Sequence, residues 1–188
     1  MTIDINKRHS GGTATQVVEC IDKRFGTWRV RTDFKEQEEQ QAGRTRRSVT
    51  FIETEFAHKP TMAEVREFVF GVINAQTDLK ILSGMTWGTK PVWLSEENQK
   101  NFSEAQRVAQ MMPEAILPVT FKLGENSEGE PVYHEFTTAE ELTQFYLTTV
   151  GYINACLQEG WQKKDSFDFT PYELILRPVT ENENAGEE

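Results

Sequence analysis

The chain has only two cysteines, Cys20 and Cys156, far apart and without a C-x-x-C spacing, so neither a disulfide framework nor a zinc knuckle is indicated. Both are read as reduced and at least partly buried. No uninterrupted apolar run reaches membrane-spanning length, and the opening MTIDINKRHSGGTATQ lacks the apolar core of a secretory signal. The expectation is a protein that does not enter a membrane and stays in the cytoplasm. Its three histidines, His9, His58 and His134, have no spacing that places two ligands on one helix face, so neither metal nor other cofactor is expected. Basic charge is also short: twenty Lys and Arg against thirty Asp and Glu give a formal charge of −10, which argues against nucleic acid as a partner. Phosphate-cradling glycine loops and the G-x-S-x-G elbow are missing too.

What is present suits a folded core. The apolar share of 37% is low, but twelve Phe and four Trp bury large side chains. Residues 13–21, 26–34 and 46–56 cluster or alternate β-branched and aromatic residues and read as three strands. The charged, amide-rich 35–47 between the last two reads as an exposed loop or hairpin tip, with Arg44, Arg46 and Arg47 beside Glu36, Glu38 and Glu39 as a solvated turn. Thr61 and Glu64 make a capping box for a helix with Val65, Phe68, Val69, Val72 and Ile73 on one face, ending near Asp78.

Two short strands follow, about 82–87 and 91–94, joined through Gly88 at a turn that needs positive φ. Ser95 is a natural N-cap for a helix striped by Phe102, Ala105, Val108, Ala109 and Met112 and closed by Pro113. LPVTFKLG and PVYHEF flank the turn-rich ENSEGE as a third hairpin. A second capping box, Thr138 to Glu141, opens the longest helix, with Leu142, Phe145, Tyr146, Val150, Ile153, Leu157 and Trp161 on one face. A short element is expected near Tyr172. The predicted class is α+β: antiparallel hairpins each followed by a capped helix, with the helices packed on one face. The terminal ENENAGEE carries four carboxylates and no apolar anchor, and reads as a disordered tail.

Candidate chemistry is sparse. Cys156 lies just beside the apolar face of its helix and lacks an identifiable base, while the acid pairs Glu96–Glu97 and Asp165–Asp168 sit in polar contexts that do not split their pKa values. The expectation is no catalytic residues. Interaction is the better prospect, at Trp87, Lys90, Trp93, Asn98, Gln99 and Tyr133. The tryptophans mainly fasten a hairpin to its helix and leave one face for a partner, and the amides bridge the hairpin to the first helical turn.

INAQTDLKILSGMTW, PVWLSEENQKNFSEAQ, LPVTFKLGENSEGEPVYHEFTTAEELTQFY and CLQEGWQKKDSFDF resemble a family of uncharacterised bacteriophage and prophage proteins encoded with tail and tail-fibre genes. The likeness spans about 58–172; Asp78, Gly84, Trp87, Trp93, Leu94, Ser95, Asn98 and Gln99 match it. It implies a non-enzymatic minor tail component or assembly chaperone in the bacterial host cytoplasm or virion tail. Other tail proteins would be its partners, and a homo-oligomer fits the symmetry of tails. The domain division that follows is 1–57 as a variable β-rich segment, 58–176 as the α+β domain and 177–188 as the tail. The reading from a different class is a carbohydrate-binding accessory domain stacking sugars on Trp87, Trp93 or Tyr133. A small acidic inhibitor of a host nucleic-acid-binding protein fits less well, because the charge is dispersed.

Overall fold

The computed structural model describes residues 8–11, 16–41 and 44–177, with backbone alone for 39–41 and 44–46. In chain order the elements are β1 (His9–Gly11), β2 (Val18–Asp22), β3 (Thr27–Gln41), β4 (Arg44–Phe56), α1 (Met62–Leu82), β5 (Met85–Trp87), β6 (Lys90–Val92), α2 (Glu96–Met111), α3 (Pro113–Ile116), β7 (Val119–Glu125), β8 (Pro131–Phe136), α4 (Ala139–Asp165) and α5 (Thr170–Leu176). The fold is α+β, and a helix follows each of the three hairpins β3–β4, β5–β6 and β7–β8. Among the described residues the hairpins form separate antiparallel sheets: one of four strands in the order β1-β4-β3-β2, and the two-stranded pairs β5-β6 and β7-β8.

The chain divides into two compact units, with boundaries after Ala75 in α1 and after Lys163 in α4. This differs from a division at residue 57, because the first turns of α1 and all of α5 pack on the N-terminal sheet. In that unit Val18, Val30 and Ile52 of the strands close a core with Val65, Phe68, Val69, Val72 and Ile73 of α1, Phe169, which precedes α5, and Tyr172 of α5. The α1 stripe is therefore the one its period predicts. The Thr61 box also forms, with the Glu64 amide donating to Thr61 Oγ1 at 3.3 Å and the Thr61 amide donating to Glu64 Oε2 at 2.8 Å. Those bonds from the Thr61 amide and hydroxyl hold the Glu64 carboxyl below its ordinary range.

Strand alternation puts Arg31 on the other face of the sheet from Val30, where its guanidinium donates to Glu53 Oε2 at 3.0 Å, Glu19 Oε2 at 2.8 Å and the Gln16 carbonyl at 3.0 Å. It also lies 5.0 Å from the centre of the Phe51 ring. α5 is tied down by Tyr172, whose buried hydroxyl donates to the Arg31 carbonyl at 2.8 Å. Burial raises the Tyr172 pKa.

Several expectations need correction. Of the two alternatives for residues 35–47, a loop or a hairpin tip, the segment is the distal end of a hairpin and is strand almost throughout: β3 runs to Gln41 and β4 starts at Arg44, in register through Glu38↔Arg47, Glu39↔Arg46 and Gln41↔Arg44. Opposite charges directly across the ladder offset the poor strand propensity of Glu, Gln and Arg. Arg47 Nε donates to Glu38 Oε1 at 2.7 Å. The first expected strand falls partly on residues outside the description, and its described part is β2. Helix α1 extends one turn past Asp78. The acidic tail from residue 178 lies outside the described residues.

In the second unit Val92, Leu94, Phe102, Ala105, Ala109, Leu123, Phe136, Leu142, Phe145 and Cys156 form the core. Ser95 caps α2 as expected, accepting from the Asn98 amide at 3.2 Å. Met112 leaves the expected stripe and is 52% exposed, because α2 stops at Met111 and Pro113 opens the single turn of α3. Trp161 is likewise 57% exposed. The inner line of α4 is Leu142, Phe145, Thr149, Cys156 and Gly160, which puts Cys156 on the buried face itself. At Gly160 a Cβ would lie 2.5 Å from Thr77 Oγ1, so α4 passes α1 too closely for a large residue there. No helix among the described residues is long and apolar enough to cross a membrane.

Candidate functional site

The candidate site is built on the β5–β6 hairpin and what holds it. Gly84 ends α1 with φ +81° and a 2.9 Å bond from its amide to the Ile81 carbonyl, which turns the chain into β5. A Cβ at Gly84 would meet the Val92 carbonyl oxygen at 2.1 Å, so only glycine lets the end of β6 lie across this corner. The hairpin reverses through Gly88 and Thr89 between the paired Trp87 and Lys90. Gly88 takes φ +60° at the first central position, as a type II′ turn requires.

From there the chain is fastened to its neighbours by polar groups. The Trp93 amide donates to the Leu123 carbonyl at 2.7 Å, linking β6 to β7. Asn98 Nδ2 donates to the Trp93 carbonyl at 3.1 Å, and Gln99 Nε2 to the Leu94 carbonyl at 2.7 Å. These two side chains bind the backbone between hairpin and helix, as the sequence reading expected. Gly124 follows a bulge at Leu123 opposite this junction. A side chain at position 124 would come within 2.9 Å of the Pro91 carbonyl oxygen.

The two tryptophans have different surroundings. Trp87 is half-buried among aromatic rings, with centroids 4.8 Å from His134, 5.1 Å from Phe145 and 5.7 Å from Phe136. It fastens the hairpin to β8 and α4. Trp93 is 39% exposed, and Lys122 Nζ lies 5.1 Å from its ring centre. Lys122 pairs across the ladder with Tyr133, itself 58% exposed, so Trp93, Lys122 and Tyr133 form one outward surface. Lys122 also donates to Glu125 Oε1 at 2.9 Å.

Lys90 belongs with Trp87. Its Nζ donates to His134 Nδ1 at 2.6 Å, and His134 Nε2 donates to Glu141 Oε1 at 2.9 Å, a neutral tautomer assigned from the partners. Glu141 also belongs to the second capping box, where its amide donates to Thr138 Oγ1 at 3.2 Å. Both imidazole nitrogens are thereby engaged within the protein, which leaves no ring lone pair or proton for a substrate. Of the other weighed acids, Asp168 accepts from the Thr170 amide at 2.9 Å, and that residue's bonds lower its pKa.

The six expected interaction residues thus separate into a fastening set, Trp87, Lys90, Asn98 and Gln99, and an outward pair, Trp93 and Tyr133. Sequence reasoning missed Lys122, which joins the outward pair, and Glu141, which completes the Lys90–His134 chain. Lys122 was detectable only through the β7–β8 register. Among the described residues no three His, Cys, Asp or Glu side chains gather as a metal site requires.

Neither a curated protein nor a solved structure matches the chain. Residues 64–176, more than half of the chain and including all of the site just described, match the family profile described as domain of unknown function (DUF4376). The protein is a member of the DUF4376 family.

Proposed function

We propose that this is a non-enzymatic interaction protein of phage or prophage tail assembly, a minor tail component or assembly chaperone, which holds another tail protein through the Trp93–Lys122–Tyr133 surface. One observation carries the interaction part: Trp93 is exposed while its own backbone is pinned at both the amide and the carbonyl. An exposed indole carried on a fixed backbone loses little main-chain freedom on binding, which is what an anchor residue at a protein interface needs. The tail context rests on the resemblance of residues 58–172 to phage and prophage proteins, and the host cytoplasm or the virion tail follows as its location.

A carbohydrate-binding reading has less support. Trp87 is enclosed by its ring contacts and cannot join Trp93 in a stacking platform, and Lys122 occupies one face of the Trp93 ring. The test is quantitative mass spectrometry of purified particles beside the lysate that produced them. A fixed copy number per particle supports a tail component. Presence in the lysate bound to a tail protein, with absence from particles, supports a chaperone. Free protein in the lysate and none in particles contradicts both.

A further inference from the structure

Helix α4 is buried along one side and exposed along the other, and its exposed side is without charge for most of its length. Residues 142–158 are seventeen in a row with no Asp, Glu, Lys or Arg, in a chain where 27% of residues are charged. Burial accounts for that only along the inner line of Leu142, Phe145, Thr149, Cys156 and Gly160. On the opposite side Gln144, Leu147, Gly151, Asn154, Gln158 and Trp161 are all exposed, Leu147 and Trp161 each at 57%. A solvated helix face ordinarily carries charge at every turn, as α2 does with the exposed Glu97, Lys100, Glu104 and Arg107. Loss of charge around an exposed Leu and Trp is the composition of an interface centre.

The spacing of these six residues points to what covers them. They follow one another at intervals of 3, 4, 3, 4 and 3, the repeat of a two-helix seam, over about 26 Å. That series reads the same from either end, so a second α4 laid antiparallel completes it. Gln144 then meets Trp161, Leu147 meets Gln158 and Gly151 meets Asn154, each contact made twice about a two-fold axis, as an isologous interface requires. The half-buried Val150 and Leu157 flank the seam and meet across it. Charge favours the same occupant. The chain carries −10, so two copies repel through their acidic surfaces, and residues 142–158 are the longest stretch free of that repulsion. Charges begin only beyond the two ends of the seam, at Glu140 and Asp165.

We infer that the protein forms a two-fold dimer by antiparallel pairing of the exposed face of α4 with that of a second copy. One helix pair of this length buries less than the about 1,200 Å² at which stable interfaces begin, so association belongs to the range of tens of micromolar and above. The inference goes beyond the tail partner proposed above, since the Trp93 surface lies on other elements and takes no part in it.

Sedimentation equilibrium of the full chain from about 5 to about 500 µM tests the pairing. The wild type should pass from the mass of one chain towards that of two. Leu147→Glu and Trp161→Glu, both at exposed positions, should each raise the midpoint concentration at least about tenfold. Orientation is read by oxidative cross-linking in a Cys20→Ser background, where the remaining native thiol, Cys156, is buried. Gly151→Cys, at a position where an added Cβ meets nothing within 4 Å, and Asn154→Cys should link to each other in an equimolar mixture faster than either links to itself. A wild type that stays monomeric across the range overturns the inference, as does an unchanged midpoint in folded Leu147→Glu and Trp161→Glu. Self-linking of each cysteine variant as fast as linking in the mixture overturns the antiparallel pairing. If circular dichroism shows that a charged variant has not folded, the wild-type series and the cross-linking decide.

Discussion

Gly84 and Gly88 both sit at positive φ, yet the costs of losing them are expected to differ. At Gly88 an added Cβ meets nothing within 4 Å, so Gly88→Ala carries only the positive-φ backbone penalty of about 1–2 kcal/mol. At Gly84 the same penalty is joined by collision with the Val92 carbonyl oxygen, a backbone atom that cannot swing away. Gly84→Ala should therefore lower stability by more than about 2 kcal/mol. Thermal unfolding of the two variants checks this, and equal losses would mean that the corner relaxes freely. Gly88 was legible in the sequence because a two-residue hairpin turn is a local demand. The distinction between Trp87 and Trp93 was not. Both are tryptophans beside the same turn, and only distant β7, β8 and α4 decide which ring is enclosed and which is left outside.

Among the elements, α5 has a buried polar anchor, the Tyr172 hydroxyl on the Arg31 carbonyl. Tyr172→Phe keeps the ring and removes the donor, with an expected loss of about 1–2 kcal/mol in denaturant unfolding. No change would mean that water or another donor replaces the hydroxyl. A pH effect is expected where α4 meets the end of α1. Glu159 accepts from Lys163 at 2.8 Å and from Lys80, and those two lysines lower its carboxyl from 4.5 to about 2. Because the folded value lies below the unfolded one, the stabilisation is present above about pH 4.5 and lost as pH falls through about 2. Wild type and Glu159→Gln should therefore differ in Tm at neutral pH and converge on acidification. A constant gap would assign the effect to something other than the charge. The capped starts of α1, α2 and α4 and the core stripe of α1 were legible because caps and periods are local. The inner line of α4 was only partly so: its close approach to α1 selects Gly160 over Trp161, and no helical period records that. The charged half of the β3–β4 hairpin was legible as an exposed loop or hairpin tip but not as paired strand, for a related reason: its acids and bases make sense only when set opposite one another.

At the scale of the molecule, the α+β class and the hairpin-then-helix order were legible, since each hairpin carries its own turn signal and each helix its own cap. The grouping of α1 and α5 with the N-terminal strands was not, because it depends on which apolar faces meet. Function was least legible. The surface assigned to a partner joins Trp93 from the segment after β6, Lys122 from β7 and Tyr133 from β8, forty residues apart in sequence and brought together by one register and one bulge. The most direct test of that surface is titration of wild type and Trp93→Ala against each of the folded phage tail proteins that the proposal names as partners. Saturable binding to at least one of them is expected, weakened about 30-fold by Trp93→Ala, the equivalent of a 2 kcal/mol anchor, with an unchanged Tm. Absence of binding to every tail protein, or undiminished binding by Trp93→Ala, would contradict the proposed role of the surface.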